Sequence, residues 1–196
     1  MNEHRYFMVN KPVNMVSQFV SSHSVNLLSS LSFNFPEGTH AIGRLDQNSE
    51  GLLLLTTNKK VTRLLFQGAV PHKRTYLVQV KNKVEAATIE KLANGLAISA
   101  VYGTIFTTTP CEVELVEKPP NLFEAGKPLH ENVISTWLLI SLTEGKFHQV
   151  RKMVAAVHHK CLRLIRVSIE ELQLGTMQPG EVVEVNEQYF FEKLKL

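Results

Sequence analysis

Gly43-Arg-Leu-Asp-Gln-Asn-Ser-Glu-Gly-Leu-Leu-Leu-Leu-Thr-Thr-Asn58 is the stretch on which the reading of this chain turns. Its second half, from Leu52, is apolar on both faces, as a strand in the middle of a sheet covered on both sides must be. Its first half is polar and carries a carboxylate, Asp46, two residues after Arg44. The segment predicts a polar loop held against a buried central strand. Asp46 is also the only aspartate among 18 acidic residues, so chemistry needing a short, stiff carboxylate has one candidate.

Working outward, Tyr6-Phe-Met-Val-Asn-Lys11 reads as a strand stopped by Pro12. Val25, Leu28 and Leu31 recur at helical spacing from Ser24, with serines and asparagines as caps. The Pro36-Glu-Gly38 turn leads into an extended piece over Thr39 to Asp46, and a short basic helix follows from Lys59 to about Gln67. Thr75 to Val80 alternates like a strand, Glu85 to Leu96 has helical periodicity, and Ile105 to Glu117 alternates again. Pro119, Pro120, Gly126 and Pro128 mark a long loop before a strand over Ser135 to Thr143. Phe147 to His159 places Val150, Met153, Val154 and Val157 on one helical face, and strands over Cys161 to Leu174 and Glu181 to Val185 complete the pattern. Strands dominate without regular βα alternation. The expected class is α+β, with a mixed, mostly antiparallel central sheet flanked by helices.

At 196 residues and 44% hydrophobic content the chain has material for a substantial core. No run of about 18 apolar residues suggests a membrane span, and the first residues lack the apolar stretch of a signal peptide. Cys111 and Cys161 make no metal spacing and read as reduced, half-buried thiols of a cytoplasmic protein. The net charge of +3 is small, but its distribution is not even. No acid lies between Glu50 and Glu85, where Lys59, Lys60, Arg63, Lys73, Arg74, Lys81 and Lys83 occur. None lies between Glu144 and Glu170, where Lys146, Arg151, Lys152, Lys160, Arg163 and Arg166 stand beside three histidines. Two acid-free basic stretches imply a lopsided surface suited to a polyanion.

Phosphate-cradling and dinucleotide loops, CxxC pairs and HExxH are all missing from the sequence. His158 and His159 adjoin on a helix, so their side chains diverge by about 100° and are poorly placed to share a metal. The segment quoted first closely resembles the catalytic motif of the RsuA-type ribosomal RNA pseudouridine synthases. Three further segments match that family in order: Asn10-Lys-Pro, Arg74-Thr-Tyr-Leu-Val, and Glu144-Gly-Lys-Phe-His-Gln-Val-Arg-Lys-Met153. Arg74 replaces the family's usual lysine, keeping charge but not geometry. Gly180-Glu-Val-Val-Glu-Val lacks the basic or aromatic residue often found there.

The resemblance implies the pseudouridine synthase fold over residues 1–196 as one catalytic domain, with room for two lobes around a central cleft. It also implies no S4 RNA-binding domain, as in the short members that modify 23S rRNA, since only about ten residues precede Lys11. The implied reaction breaks the uracil N1–C1′ bond of a flipped-out uridine and rejoins the base through C5, with no metal or redox cofactor. Asp46 would be its essential carboxylate, by attack on C1′ or by removal of a sugar proton. Arg151 would pair with Asp46, and Tyr76 would stack on the uracil. Arg44 would fill the space left by the flipped base or anchor a phosphate. Lys152, Lys73 and Arg74 are candidate backbone contacts from their charge alone. The expected partner is ribosomal RNA, of the large subunit by resemblance, with a transfer RNA as the other possibility, and the expected state is a monomer. A silent RNA-binding or assembly factor on the same fold is the alternative, against which the intact set of Asp46, Tyr76 and Arg151 argues. If the basic stretches face RNA, log K for RNA should fall linearly with log salt, by about 0.7 per phosphate neutralised on a single strand. A flat plot in a filter-binding titration would mean that those charges point elsewhere.

Overall fold

The computed structural model of the chain describes residues 4–68, 70–99, 103–126, 128–130 and 132–196. The chain forms two compact units, residues 1–72 with 165–196, and residues 73–164.

The first unit is built on β1 (Tyr6–Lys11) and β3 (Glu50–Thr56), and every residue of both strands is buried. They run antiparallel from Tyr6 opposite Thr56 to Lys11 opposite Gly51. β11 (Val182–Val185) closes the other edge of β1. β2 (His40–Ile42) pairs with the second half of β3. At its first residues β3 instead runs parallel to β9 (Cys161–Ile169), with Glu50 opposite Ile165 and Gly51 opposite Arg166, and the two-residue β10 (Leu172–Gln173) pairs antiparallel with the end of β9. A strand buried on both faces needs a cover on each, and β1 provides for it by alternation. Tyr6 packs against Phe190, tilted, and edge-on against Phe191 of the C-terminal helix α4 (Glu187–Leu194). Its neighbour Phe7 meets Phe33 and Phe35 of the loop after β1, and Phe19 closes on Phe35. The four leucines Leu52 to Leu55 are wholly inaccessible, each worth about 1.5–3 kcal/mol of apolar burial.

The second unit is an antiparallel sheet under two helices. β4 (Arg74–Lys81) pairs along its whole length with β8 (Ser135–Leu142), and β7 (Glu112–Val116) takes the other edge of β8. On β4, Tyr76, Val78 and Val80 point to one face. There they join a core with Leu92 of α2 (Ala86–Ala93), Val150, Met153 and Val154 of α3 (Gln149–Ala156), and Ile98. Ile98 sits in a small hairpin of β5 (Ala97–Ser99) and β6 (Ile105–Thr107).

The α+β class with a mixed, mostly antiparallel sheet is what the structure has, and several elements differ from the sequence expectation. The helix expected from Ser24 is a single 3-10 turn, Leu28–Ser30. Serine hydroxyls there satisfy the backbone locally: Ser30 Oγ donates to the Leu27 carbonyl and the His23 amide donates to Ser21 Oγ. The strand expected over Ile105 to Glu117 is two, β6 and β7, because Pro110 lies between them and the Cys111 amide donates to Ala93. α4 was not anticipated, although Asn186 caps it by accepting from the Tyr189 amide.

The basic stretch before Glu170 is not all surface. Arg163 and Arg166 are 7% and 2% exposed. Arg166 Nε donates to the Leu52 carbonyl at 2.7 Å, and the Arg163 guanidinium lies 4.8 Å from the Phe123 ring. Both act as struts inside the protein, because an acid-free run counts charges without showing which way they face.

Gly51 marks the tightest point of the first unit. Its φ is +101°, and a Cβ there would lie 2.4 Å from the Arg166 carbonyl oxygen. Gly51→Ala should therefore lower stability by about 2 kcal/mol or more. Urea unfolding with a midpoint equal to the parent's would contradict this packing.

Candidate active site

The loop of residues 43–49, between β2 and β3, carries Asp46 and is fixed at each step. Gly43 has a φ of +72°, and its missing Cβ leaves room for the Phe66 ring of α1 (Val61–Gln67), which would lie 2.7 Å away. Leu45 is buried and held by one hydroxyl: Ser17 Oγ accepts from the Leu45 amide and donates to the Leu45 carbonyl, both at 3.0 Å. The Asn14 amide donates to the Gln47 carbonyl, and the Ser49 amide donates back to the Asp46 carbonyl. With Leu45 drawn inward, Arg44 is exposed and Asp46 half-buried. The loop is thus pinned through its backbone at Leu45, Asp46, Gln47 and Ser49.

Beneath the loop lies a group whose role the sequence did not assign. Lys11, the last residue of β1, is wholly buried. Its ammonium donates to the carbonyls of Pro12 at 2.8 Å and Met15 at 2.7 Å, fixing the turn that follows the strand. Burial pushes its pKa down to about 8, while the charges of Glu50 and Asp46 pull it back up and Arg166 adds to the lowering. A lysine closing an apolar strand just before a proline was the available signal, and spacing alone gives no hint that the side chain folds inward. Asn10, beside it, is also buried; its Nδ2 donates to the Met177 carbonyl.

The other expected site residues lie in the second unit. Tyr76 is half-buried on β4 opposite Ile140, its ring against the core under α2 and α3. Arg74 donates from Nη2 to the Thr143 carbonyl at 2.8 Å, and its guanidinium packs where a Cβ on Gly145 would stand. Lys73 is exposed and pairs with Glu112 at 3.2 Å. Arg151 and Lys152 are consecutive and half-buried on α3, flanked by the buried Val150, Met153 and Val154. The Arg151 charge acts on the Cys161 thiol, opposing the burial that pushes that thiol up. Cys111 is likewise driven up, to about 11, so neither cysteine is a reactive thiolate near neutral pH.

The segment before α3 is an internally bonded loop. Gln149 is buried, donates to Glu144 Oε1 at 2.6 Å and accepts from the Lys146 amide, while the Thr109 amide donates to the same Glu144 oxygen. Residues 144–149 are therefore held by a glutamate and a glutamine turned inward, with Lys146 and Phe147 left outside. Among the described residues no three His, Cys, Asp or Glu side chains gather as a metal site, and no helix is long and apolar enough to cross a membrane.

Three comparisons bear on this arrangement. Residues 5–156 match the family model described as RNA pseudouridylate synthase. The chain is 33% identical over 176 residues to the ribosomal large subunit pseudouridine synthase E of Xanthomonas campestris pv. campestris, covering 89% of this chain and 91% of that protein. It is 32% identical to the protein of the same name from Vibrio parahaemolyticus, over 94% of this chain and 75% of the relative. A crystal structure of a pseudouridylate synthase superposes with a TM-score of 0.79 at 26% identity, covering 99% of this chain and 75% of the other.

Lys11 has a checkable consequence. Its folded pKa lies below its ordinary 10.5, so between about pH 8 and 10.5 the unfolded chain holds more protons and stability rises with pH. That gain is lost again as pH falls through about 8, and its ceiling is on the order of 3 kcal/mol. The stability difference between the parent and Lys11→Met should climb across this window and be level below it. A difference that stays level throughout would show that the ammonium is not desolvated.

Proposed function

We propose, for a chain that belongs to the RNA pseudouridylate synthase family and so converts uridine to pseudouridine in RNA, that Asp46 is its catalytic carboxylate and ribosomal RNA its substrate. The observation that carries the reading is the clamped loop of residues 43–49. It presents a half-buried carboxylate on a backbone fixed by Ser17 and Asn14. The aspartate, Tyr76 and Arg151 all fall inside the stretch matched by the family model.

The isomerisation conserves every atom. The N1–C1′ bond breaks, the uracil turns, C5 bonds to C1′, and the proton that C5 gives up is balanced by one gained at N1. Asp46 starts the sequence, either by attack at C1′ or by taking a proton from the sugar. A rigid loop suits both routes, since misplacing a reacting atom by an ångström costs orders of magnitude in rate. Arg151 pairs with the carboxylate and orients the attacking oxygen. The half-buried Tyr76 ring stacks on the uracil, worth roughly 1–3 kcal/mol. Extruding that base costs a few kcal/mol of unstacking, and the exposed Arg44 replaces it in the RNA stack or holds a phosphate beside it. Lys152, Lys73 and Arg74 contact the RNA backbone, Lys73 and Arg74 by exchanging their present partners for phosphate. No cofactor enters any step.

The large-subunit RNA is the favoured target because the relatives that match across nine-tenths of this chain are named for it. The chain works as a cytoplasmic monomer in this reading.

Because the loop is held through its backbone, Asp46→Asn should leave the free energy of unfolding within about 1 kcal/mol of the parent and RNA binding nearly intact. Pseudouridine formation in a uridine-containing ribosomal RNA fragment should fall to background. Full-rate conversion by the variant would remove Asp46 from the chemistry.

A further inference from the structure

Phe147 is 62% exposed at the end of the loop that leads into α3. A single exposed apolar residue is ordinary, and its surroundings set this one apart. Its ring lies parallel to that of His148, 3.9 Å between centroids and 17° between planes. The Lys152 ammonium, one turn along α3, sits 5.3 Å from the same ring. His148 has a φ of +56°, in the left-handed region that few residues other than glycine adopt. Glu144 is already engaged with Gln149 and Thr109, and the chain carries no other acid until Glu170. The result is a pair of stacked rings, the Phe147 face open to water, with the Lys152 ammonium beside it.

We propose that Phe147, backed by His148, is a stacking platform for one unpaired base of the RNA that flanks the target uridine. The proposal rests on the assignment of RNA as substrate and adds a second base contact to it. An aromatic face accepts any base, and the ring exposed to solvent forfeits apolar burial until one covers it. A base detached during isomerisation needs walls to retain it, so an open platform suits a neighbouring nucleotide and not the reacting one. Lys152 fits the same role: its cation–π contact at an exposed site is weak, and the ammonium can turn from the ring to a phosphate when the base arrives. A paired duplex keeps its bases stacked on one another and offers the platform nothing.

The test separates this from the identity of the catalytic residue by measuring binding alone, in the Asp46→Asn background. Two probes of equal phosphate number serve: a ribosomal RNA hairpin with an unpaired uridine-containing loop, and a fully paired duplex. Phe147→Leu should weaken the hairpin about tenfold, leave the duplex unchanged and keep the slope of log K against log salt. Phe147→Tyr should restore hairpin binding, and 2-aminopurine placed beside the target uridine should be quenched by the parent and by the tyrosine variant but not by leucine. Equal hairpin affinity for parent and leucine variants, or equal losses on hairpin and duplex, would overturn the platform. If Asp46→Asn instead retains turnover, the catalytic assignment fails while these binding ratios still decide the platform.

Discussion

At Gly51 two strands approach so closely that only a hydrogen fits between them. The Arg166 backbone lies within 3 Å of where a side-chain carbon would be, and the Arg166 side chain bonds the next carbonyl along, that of Leu52. This contact fixes the first residues of β3 against β9, and the loop bearing Asp46 enters β3 just before it. Leu45 and Ser17 secure the upstream side of the same loop. The carboxylate thus stands between two anchors that are properties of the backbone. A reaction whose chief demand is position is served by a carboxylate on a loop whose backbone is fixed.

Charge enters in the same economical way. Lys11 and Arg166 are buried cations, and Glu50, 5% exposed, lies among them with Asp46. An isolated buried charge is expensive, so each is tied to backbone carbonyls or to an opposite charge. The outcome is a local field set by groups that are not exposed to solvent and so are little affected by salt. Exposed pairs such as Arg5 with Glu184, at 2.5 Å, belong to the ordinary surface and contribute little.

Much of this was legible in the sequence. The apolar run Leu52 to Leu55 gave a strand covered on both faces, and β3 is that. The dominance of strands without βα alternation gave the α+β class, and the order of four motif segments led to the family. The misreadings have local causes. Val25, Leu28 and Leu31 have helical spacing, but the serines among them bond their own backbone. Pro110 divides a run whose alternation looked continuous. Arg163 and Arg166 counted as surface cations because charge in a sequence has no direction, and the same blindness hid Lys11. Phe147 carried no signal beyond its type, since its exposure and its stacking on His148 are facts of three-dimensional placement.

The most direct measurement is a map of pseudouridine in ribosomal RNA from cells with and without this protein. The account predicts that large-subunit RNA from the deficient cells loses pseudouridine at a defined uridine, and that the purified chain alone, with no added cofactor, restores it in vitro. Maps that are identical in the two strains, across both ribosomal subunits, would contradict it.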